Sequence, residues 1–371
     1  MVKIRCNRPV LANAFQIVDA VVPSRTPKEI LKNVLLSVEE GKVTLVGTDQ
    51  EIGIRYDLPG VEVTESGTSL LPSKRVLSIL RELTDEFVEI EITEEAAWIR
   101  SDSSEFRLSA QDPTEFPPVS GFEEEKYYVM MGGALKSAIR RTIFATDVES
   151  TRYALGGVMM ELKTDAVNMV ATDSRRLALV ESVCRVEGIE EGTEVNPVIP
   201  RQAMALIEKS ITDDGEDVLI AVHANDVVVK CGKSTLYSRL VDGRFPQYGA
   251  VIPQQSNVIV DLVAGPFHSA VRQAQIVTDE DSRGVDFVLN NGQLTLNSQS
   301  ADIGKSEIHL PVSYEGDELI ITFDPRFVAE FLRVLDPEQQ IQFMLNDGEQ
   351  AAMLKTEDNY TYVIMPLSRD H

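Results

Sequence analysis

The sequence predicts an α+β protein, built as three repeats of antiparallel β-sheet with two helices in each repeat, and three observations lead there. First, three segments begin at a proline and continue with helical spacing: LPSKRVLSILREL at 71–83, IPRQAMALIEKSI at 199–211 and FDPRFVAEFLRVL at 323–335. Pro72, Pro200 and Pro325 lie 128 and 125 residues apart. Proline suits the first turn of a helix, where its missing N–H has no intrahelical partner, and the apolar residues that follow recur at i, i+3 and i+4. Second, another helix-like set precedes these, in LANAFQIVDAVV at 11, LKSAIRRTIFAT at 135 and PFHSAVRQAQIV at 266. Third, a Thr-Asp pair ends a strand-like run in both LVGTDQEIGIR at 45–55 and MVATDSRRLAL at 169–179, with Thr48 and Thr172 124 residues apart.

Each element then follows in chain order. A helix is expected over 11–22, a hairpin in VLLSVEEGKVTLVGTD from 34, a helix over 73–83 and a strand in EFVEIEI from 86. The second repeat places helices at 135–146 and 200–210, a hairpin in VMMELKTDAVNMVATD from 158 and a strand in DVLIAV from 217. The third places helices at 266–277 and 325–335, a hairpin in VDFVLNNGQLTLNSQS from 285 and a strand in QQIQFML from 339, with Asn297-Ser298 where Thr-Asp stood. Strands dominate, and each short helix needs a sheet face to bury its apolar stripe. The polar, turn-forming segments GFEEEK at 121–126 and PQQSN at 253–257 set expected domains of 1–122, 123–253 and 254–371.

Composition narrows the function classes. With 43% hydrophobic and 25% charged residues the chain of 371 residues has an ordinary globular balance. It contains no apolar run of the roughly 18 residues a membrane span requires, and its N-terminus lacks a secretory pattern, so the cytoplasm is the expected compartment. The three cysteines include no CxxC pair and read as small core residues. The four histidines show no HxxxH or HExxH spacing and read as surface or helix-edge residues; phosphate-loop, dinucleotide and nucleophile-elbow motifs are missing. The acidic clusters TDDGED at 212–217 and TDEDS at 278–282 lack the calcium-loop pattern and read as connecting loops. No cofactor or metal is therefore expected. A three-domain enzyme or metal-binding scaffold using those loops is the weaker alternative.

A formal net charge of −24 argues at first against nucleic acid. The charge is segregated, however: the six predicted helices carry eleven Lys or Arg against four Asp or Glu, so the acid excess lies in the rest of the chain.

The stretches STRYALGGVMME to ATDSRRL (150–177), SRLVDGRFPQY (238–248) and the terminal YVIMPL (362–367) resemble the bacterial sliding clamp family, the beta subunit of the replicative DNA polymerase III. The resemblance covers the whole chain, and LVDGRFPxY with the terminal Met-Pro pair is its specific signature. It implies a head-to-tail homodimer that closes a ring of six domains around duplex DNA, and a non-catalytic role in processivity. It also implies partners that dock through short peptide motifs: the replicative polymerase catalytic subunit, the clamp loader and repair polymerases. Twelve helices packed about 9 Å apart would leave a bore near 25 Å, wide enough for a duplex and water.

Matched residue by residue, the resemblance implies a partner-peptide pocket from Leu155, Thr172, Ser174, Arg175, Arg176, Leu177, Pro246, Val251, Val363, Met365, Pro366 and Leu367, with the arginines on its rim. An apolar groove edged by arginine suits a peptide with aliphatic or aromatic anchors and polar or acidic flanks. Members of the family commonly carry Gly-His-Arg where Ser174-Arg175-Arg176 stands, and end sooner than LSRDH does here. Arg25 and Tyr153 are expected at DNA by motif, and Lys74, Arg75, Lys136, Arg140, Arg141 and Arg201 by helix charge. Phe106 of one chain is expected to meet Ile276 and Val277 of the other.

Overall fold

The computed structural model describes residues 2–39, 41–93, 95–109, 111–147, 149, 154–278 and 284–368. Six α-helices occur among them: α1 (Arg8–Asp19), α2 (Ser73–Glu82), α3 (Gly132–Thr142), α4 (Arg201–Ser210), α5 (Ala264–Gln275) and α6 (Pro325–Arg333). The strands among them all pair antiparallel, so the α+β class and the threefold repetition hold. Helix α1 starts three residues before the expected position, because Asn7 accepts a hydrogen bond from the Val10 amide (3.2 Å) and Pro9 follows within the first turn. Helix α3 also begins early, without a proline. Its Gly132 and Gly133 amides donate to the carbonyls of Glu216 and Asp214, both at 2.8 Å. A Cβ on Gly132 would sit 2.7 Å from the Asp213 carbonyl oxygen, so only glycine permits this approach. The third repeat does the same, with Gly265 donating to Pro337 at 2.8 Å and Ala264 to Gln339 at 3.0 Å.

These contacts explain the acidic loop at 212–217. Its carbonyls cap α3, Asp213 accepts from the Gly215 amide (2.9 Å), Asp214 pairs with Lys136 (3.2 Å) and Asp217 with Arg185 (2.5 Å). The carboxylates of Asp213, Asp214 and Asp217 are thus spent on turn and ion-pair contacts. Among the described residues no group of three or more His, Cys, Asp or Glu converges as a metal site would require. In the second cluster only Thr278 is described. No helix among the described residues is long and apolar enough to cross a membrane.

The sheets cut across the sequence repeats. A nine-stranded sheet runs in the order Arg185–Glu187, Tyr127–Met131, Asp217–Val222, Asp226–Cys231, Ser234–Arg239, Ile52–Leu58, Lys42–Thr48, Asn33–Glu39, Gly67–Pro72, with Ser234–Arg239 joining the middle third to the first. An eight-stranded sheet likewise joins four strands of the middle third to four of the last, through Arg176–Val183 and Tyr360–Ile364. A five-stranded sheet ending at Glu105–Ser109 and a four-stranded sheet ending at Gly304–Pro311 remain within the first and last thirds. The chain accordingly divides into two compact units, one of Met1–Lys136, Cys184–Thr193 and Gln202–Leu240, the other of Ser137–Val183, Glu194–Arg201 and Val241–His371.

Within the first unit α1 packs against α2 and against the strands Lys42–Thr48 and Ile52–Leu58, burying Leu11, Phe15 and Val18. In the second, α5 packs against α6 and Phe267, Phe287, Phe323 and Phe343 form a ring cluster with centroids 5.2–6.4 Å apart. Cys6 and Cys231 are core residues whose thiols burial pushes up to about 12, whereas Cys184 is only half-buried, against expectation.

The turn between Asp217–Val222 and Asp226–Cys231 holds His223, with Nδ1 2.6 Å from Asp226 and Nε2 3.3 Å from Glu124 in the GFEEEK segment. The bond to Asp226 raises its pKa above 6.5, with Glu124 adding to it against partial burial. A raised folded pKa means stability that is complete below pH 6.5 and is lost as pH climbs through the folded value. His223→Gln should therefore lower the melting temperature at pH 5.5 but leave it unchanged at pH 8.5, as calorimetry at the two pH values would record.

Candidate partner-binding pocket

The Thr-Asp turn is built from its own side chains. Thr172 Oγ1 donates to the Arg176 carbonyl (2.6 Å) and accepts from the Ser174 amide (3.1 Å), while Asp173 Oδ1 accepts from the amides of Arg175 and Arg176, each at 3.0 Å. Ser174 has φ 73°, in the left-handed region. The first copy matches it bond for bond: Thr48 donates to Ile52 (2.8 Å) and accepts from Gln50 (2.9 Å), Asp49 accepts from Glu51 (2.9 Å) and Ile52 (2.7 Å), and Gln50 has φ 82°. Thr-Asp is thus architectural, and the two arginines are what the second copy adds.

They have different fates. Arg175 is exposed, and its carbonyl accepts from the Met365 amide at 2.8 Å. Arg176 is only 9% exposed, so the expected rim charge is instead an interior one. Its guanidinium donates to Asp173 Oδ2 (2.9 Å), to the Phe144 carbonyl (2.9 Å) and to Glu330 of α6, and lies 4.3 Å from the Phe327 ring centroid. A buried cation needs this many partners because water no longer solvates it.

Beside the turn lies a hollow of about 630 Å³. Its floor comes from Leu177 and Val363, paired across adjacent strands and packed with Met159, Val170 and Met353. Thr172, Ser174, Arg175, Arg176 and Met365 line one part, and the segment Arg244, Phe245, Pro246, Gln247, Tyr248 and Val251 another. Three expected residues are not among its lining. Leu155 is buried, its carbonyl taken by the Asp147 amide (2.8 Å), and beyond Met365 the chain turns so that Leu367 donates to Thr322 (2.8 Å), carrying Pro366 and Leu367 away. Arg244, Phe245, Gln247 and Tyr248 line the hollow without having been singled out, although they stand in the quoted stretch around Pro246.

The remaining candidates differ in exposure. Arg25, Lys74, Arg75, Arg140 and Arg201 are exposed; Lys136 is half-buried in its pair with Asp214. Arg141 departs from expectation, since it bonds Asp358 at 2.6 Å, covers the Tyr360 ring at 5.3 Å and has a side chain 14% exposed, leaving little of it for DNA. Tyr153 lies outside the described residues. Phe106 is half-buried on the edge strand Glu105–Ser109, Ile276 just beyond α5 is 74% exposed, and Val277 is half-buried.

Comparison with known proteins places this geometry. The chain is 29% identical to the beta sliding clamps of Chlamydia pneumoniae, over 97% of either chain, and of Pseudomonas putida, over 97% of this chain and 98% of that one. The solved DNA polymerase sliding clamp of Bacillus subtilis superposes with a TM-score of 0.92 at 27% identity over 100% of both chains. A Pseudomonas aeruginosa clamp bound to griselimycin superposes at 0.91 with 26% identity over 99% of both. The family models for the N-terminal, central and C-terminal domains of the DNA polymerase III beta subunit match residues 2–120, 130–247 and 249–368, and the chain belongs to that family.

Proposed function

We propose that this chain is a DNA sliding clamp: two copies join head to tail around duplex DNA, and the hollow beside Leu177 holds short peptide segments of the replicative polymerase, the clamp loader and repair polymerases. It is a non-catalytic subunit that works in the cytoplasm, with three clamp domains at 1–122, 123–253 and 254–371. The three family-model spans support boundaries close to these.

One structural observation carries the ring. The nine- and eight-stranded sheets are each the union of two half-sheets from neighbouring repeats, whereas the five- and four-stranded sheets are half-sheets with no mate among the described residues. Their edge strands Glu105–Ser109 and Gly304–Pro311 expose unpaired backbone groups, which invite pairing with another strand. Joining one copy's five-stranded edge to the other copy's four-stranded edge repeats the internal junction twice and leaves neither mateless. Phe106 sits on the first edge, and α5, which Ile276 follows, packs against the second. Burial of a phenylalanine side chain contributes roughly 1.5–3 kcal/mol, and two equivalent contacts double it. Phe106→Ala with Ile276→Ala should therefore raise the dimer Kd by about a hundredfold or more, as analytical ultracentrifugation would record; an unchanged Kd would remove these residues from the interface.

Salt distinguishes encirclement from ordinary affinity. A protein held by phosphate contacts loses about 10³–10⁵ in affinity between 50 and 200 mM salt. A closed ring is expected to remain on circular DNA across that range and to leave linear DNA by sliding off its ends. Equal, salt-sensitive retention on both templates would sink the proposal.

A further inference from the structure

The two copies of the Thr-Asp turn differ in what lies over them. At the 124-residue offset Gly53 takes the place of Leu177, and Phe116-Pro117 in the first inter-repeat linker corresponds to Phe245-Pro246 in the second. In the first copy the linker fills the groove. Phe116 and Val119 are each 8% exposed and pack with Val46 and Leu70, and a Cβ on Gly53 would lie 2.6 Å from Val119 Cγ1. Arg55 fixes the segment by donating to the Val119 carbonyl at 3.2 Å.

In the second copy the residue in Val119's place is Tyr248, and its ring lines the open hollow. Its hydroxyl reaches sideways to donate to Glu161, which also pairs with Lys163 (2.6 Å) and faces Asn168 across the sheet. The corresponding positions in the first copy are Ser37 and Thr44, paired in the same register, and Val119 has no hydroxyl to offer them. Where the tether exists the groove is open; where it is missing the linker has dropped in. We propose that Tyr248 is a positioning residue whose hydroxyl, held by Glu161, keeps the segment from Arg244 to Val251 off Leu177 and so sets the width of the pocket for bulky anchors. Burial together with the Glu161 bond pushes the Tyr248 hydroxyl up to about 12, so the donor stays protonated throughout the neutral range.

The inference rests on reading the hollow as a peptide pocket, and the test separates the two. Two fluorescein-labelled hexapeptides with acidic flanks serve as probes, one with leucine and phenylalanine anchors and its twin with alanine at both anchor positions. Loss of a hydrogen bond to a charged acceptor should raise the Kd of the bulky probe about five- to tenfold in Tyr248→Phe and in Glu161→Gln, with no further loss in the double variant. The weak binding of the alanine probe should change less than twofold, and the melting temperature should stay at the wild-type value. Equal weakening of both probes would mark a merely structural effect and overturn the proposal, as would unchanged binding of the bulky probe by both variants. If the wild-type protein binds neither probe, the pocket reading falls and this proposal falls with it.

Discussion

Alanine in place of Arg176 is expected to destabilise the protein by roughly 3 kcal/mol, the lower end of the range for breaking a buried ion pair. The substitution leaves Asp173 with its carboxylate 16% exposed and without its partner, orphans the Phe144 carbonyl, and empties the space over the Phe327 ring. Glu330 is 36% exposed, so water compensates that end of the pair and holds the cost down. Arg175→Ala is the control: an exposed arginine in the same turn should change stability by no more than about 1 kcal/mol. Urea denaturation of both variants reads the difference. If the two substitutions cost the same, Arg176 is a solvated rim charge after all. Arg176→Lys should recover little, because an ammonium cannot address a carbonyl and two carboxylates in one plane.

The two arginines that distinguish the second Thr-Asp turn from the first thus play different parts, Arg175 in solvent and Arg176 in the interior. The repeat itself was legible because Thr and Asp bond their own turn, and such local chemistry leaves a local signature. Prolines marked α2, α4 and α6 for the same reason, with Pro72 and Pro200 immediately before their helices and Pro325 in the first turn of its own. The starts of α1, α3 and α5 were less visible: two of them are capped by carbonyls from a loop 72 to 84 residues away, Asp214 with Glu216, and Pro337 with Gln339. Distance in sequence also hid the shared sheets. The pairing of Ile52–Leu58 with Ser234–Arg239 leaves no trace in the periodicity of either strand.

Burial within the site followed the same division. The residue types in ATDSRRL and GRFPQY pointed to two segments that line one hollow, but periodicity gave no means of telling an exposed arginine from one folded over Phe327, or an open groove from one filled by Val119. Leu155 was implied by the family match at RYALGG and is buried outside the lining, while Tyr248, within the quoted stretch GRFPQY, lines the hollow without a local pattern that marks it. Arg141 counted as helix charge until Asp358, contributed from 217 residues further along the chain, neutralised it.

Aspartate at Met365 should abolish peptide binding and leave the fold intact, whereas aspartate at Leu177 should do both kinds of damage. Met365 is 46% exposed at the edge of the hollow, and its backbone, not its side chain, bonds the turn at Arg175. Exposed substitutions of this kind usually fall within about 0.5 kcal/mol of neutral. A carboxylate on the apolar wall would face the acidic flanks of a partner peptide and desolvate on binding. Loss of a central anchor contact costs about 2 kcal/mol or more, at least thirtyfold in Kd. Leu177 is 2% exposed and belongs to the cluster of Met159, Val170, Met353 and Val363 even as one of its faces meets the hollow. Truncating such a leucine alone costs about 2–5 kcal/mol, and a buried unpaired carboxylate adds to that, so Leu177→Asp should destabilise the fold itself. Fluorescence anisotropy with a partner peptide, run beside thermal melts, separates the outcomes. Met365→Asp should melt with the wild type and bind nothing measurable, and Leu177→Asp should melt far lower. A Met365→Asp protein that still binds at full affinity would put the peptide groove elsewhere on the molecule.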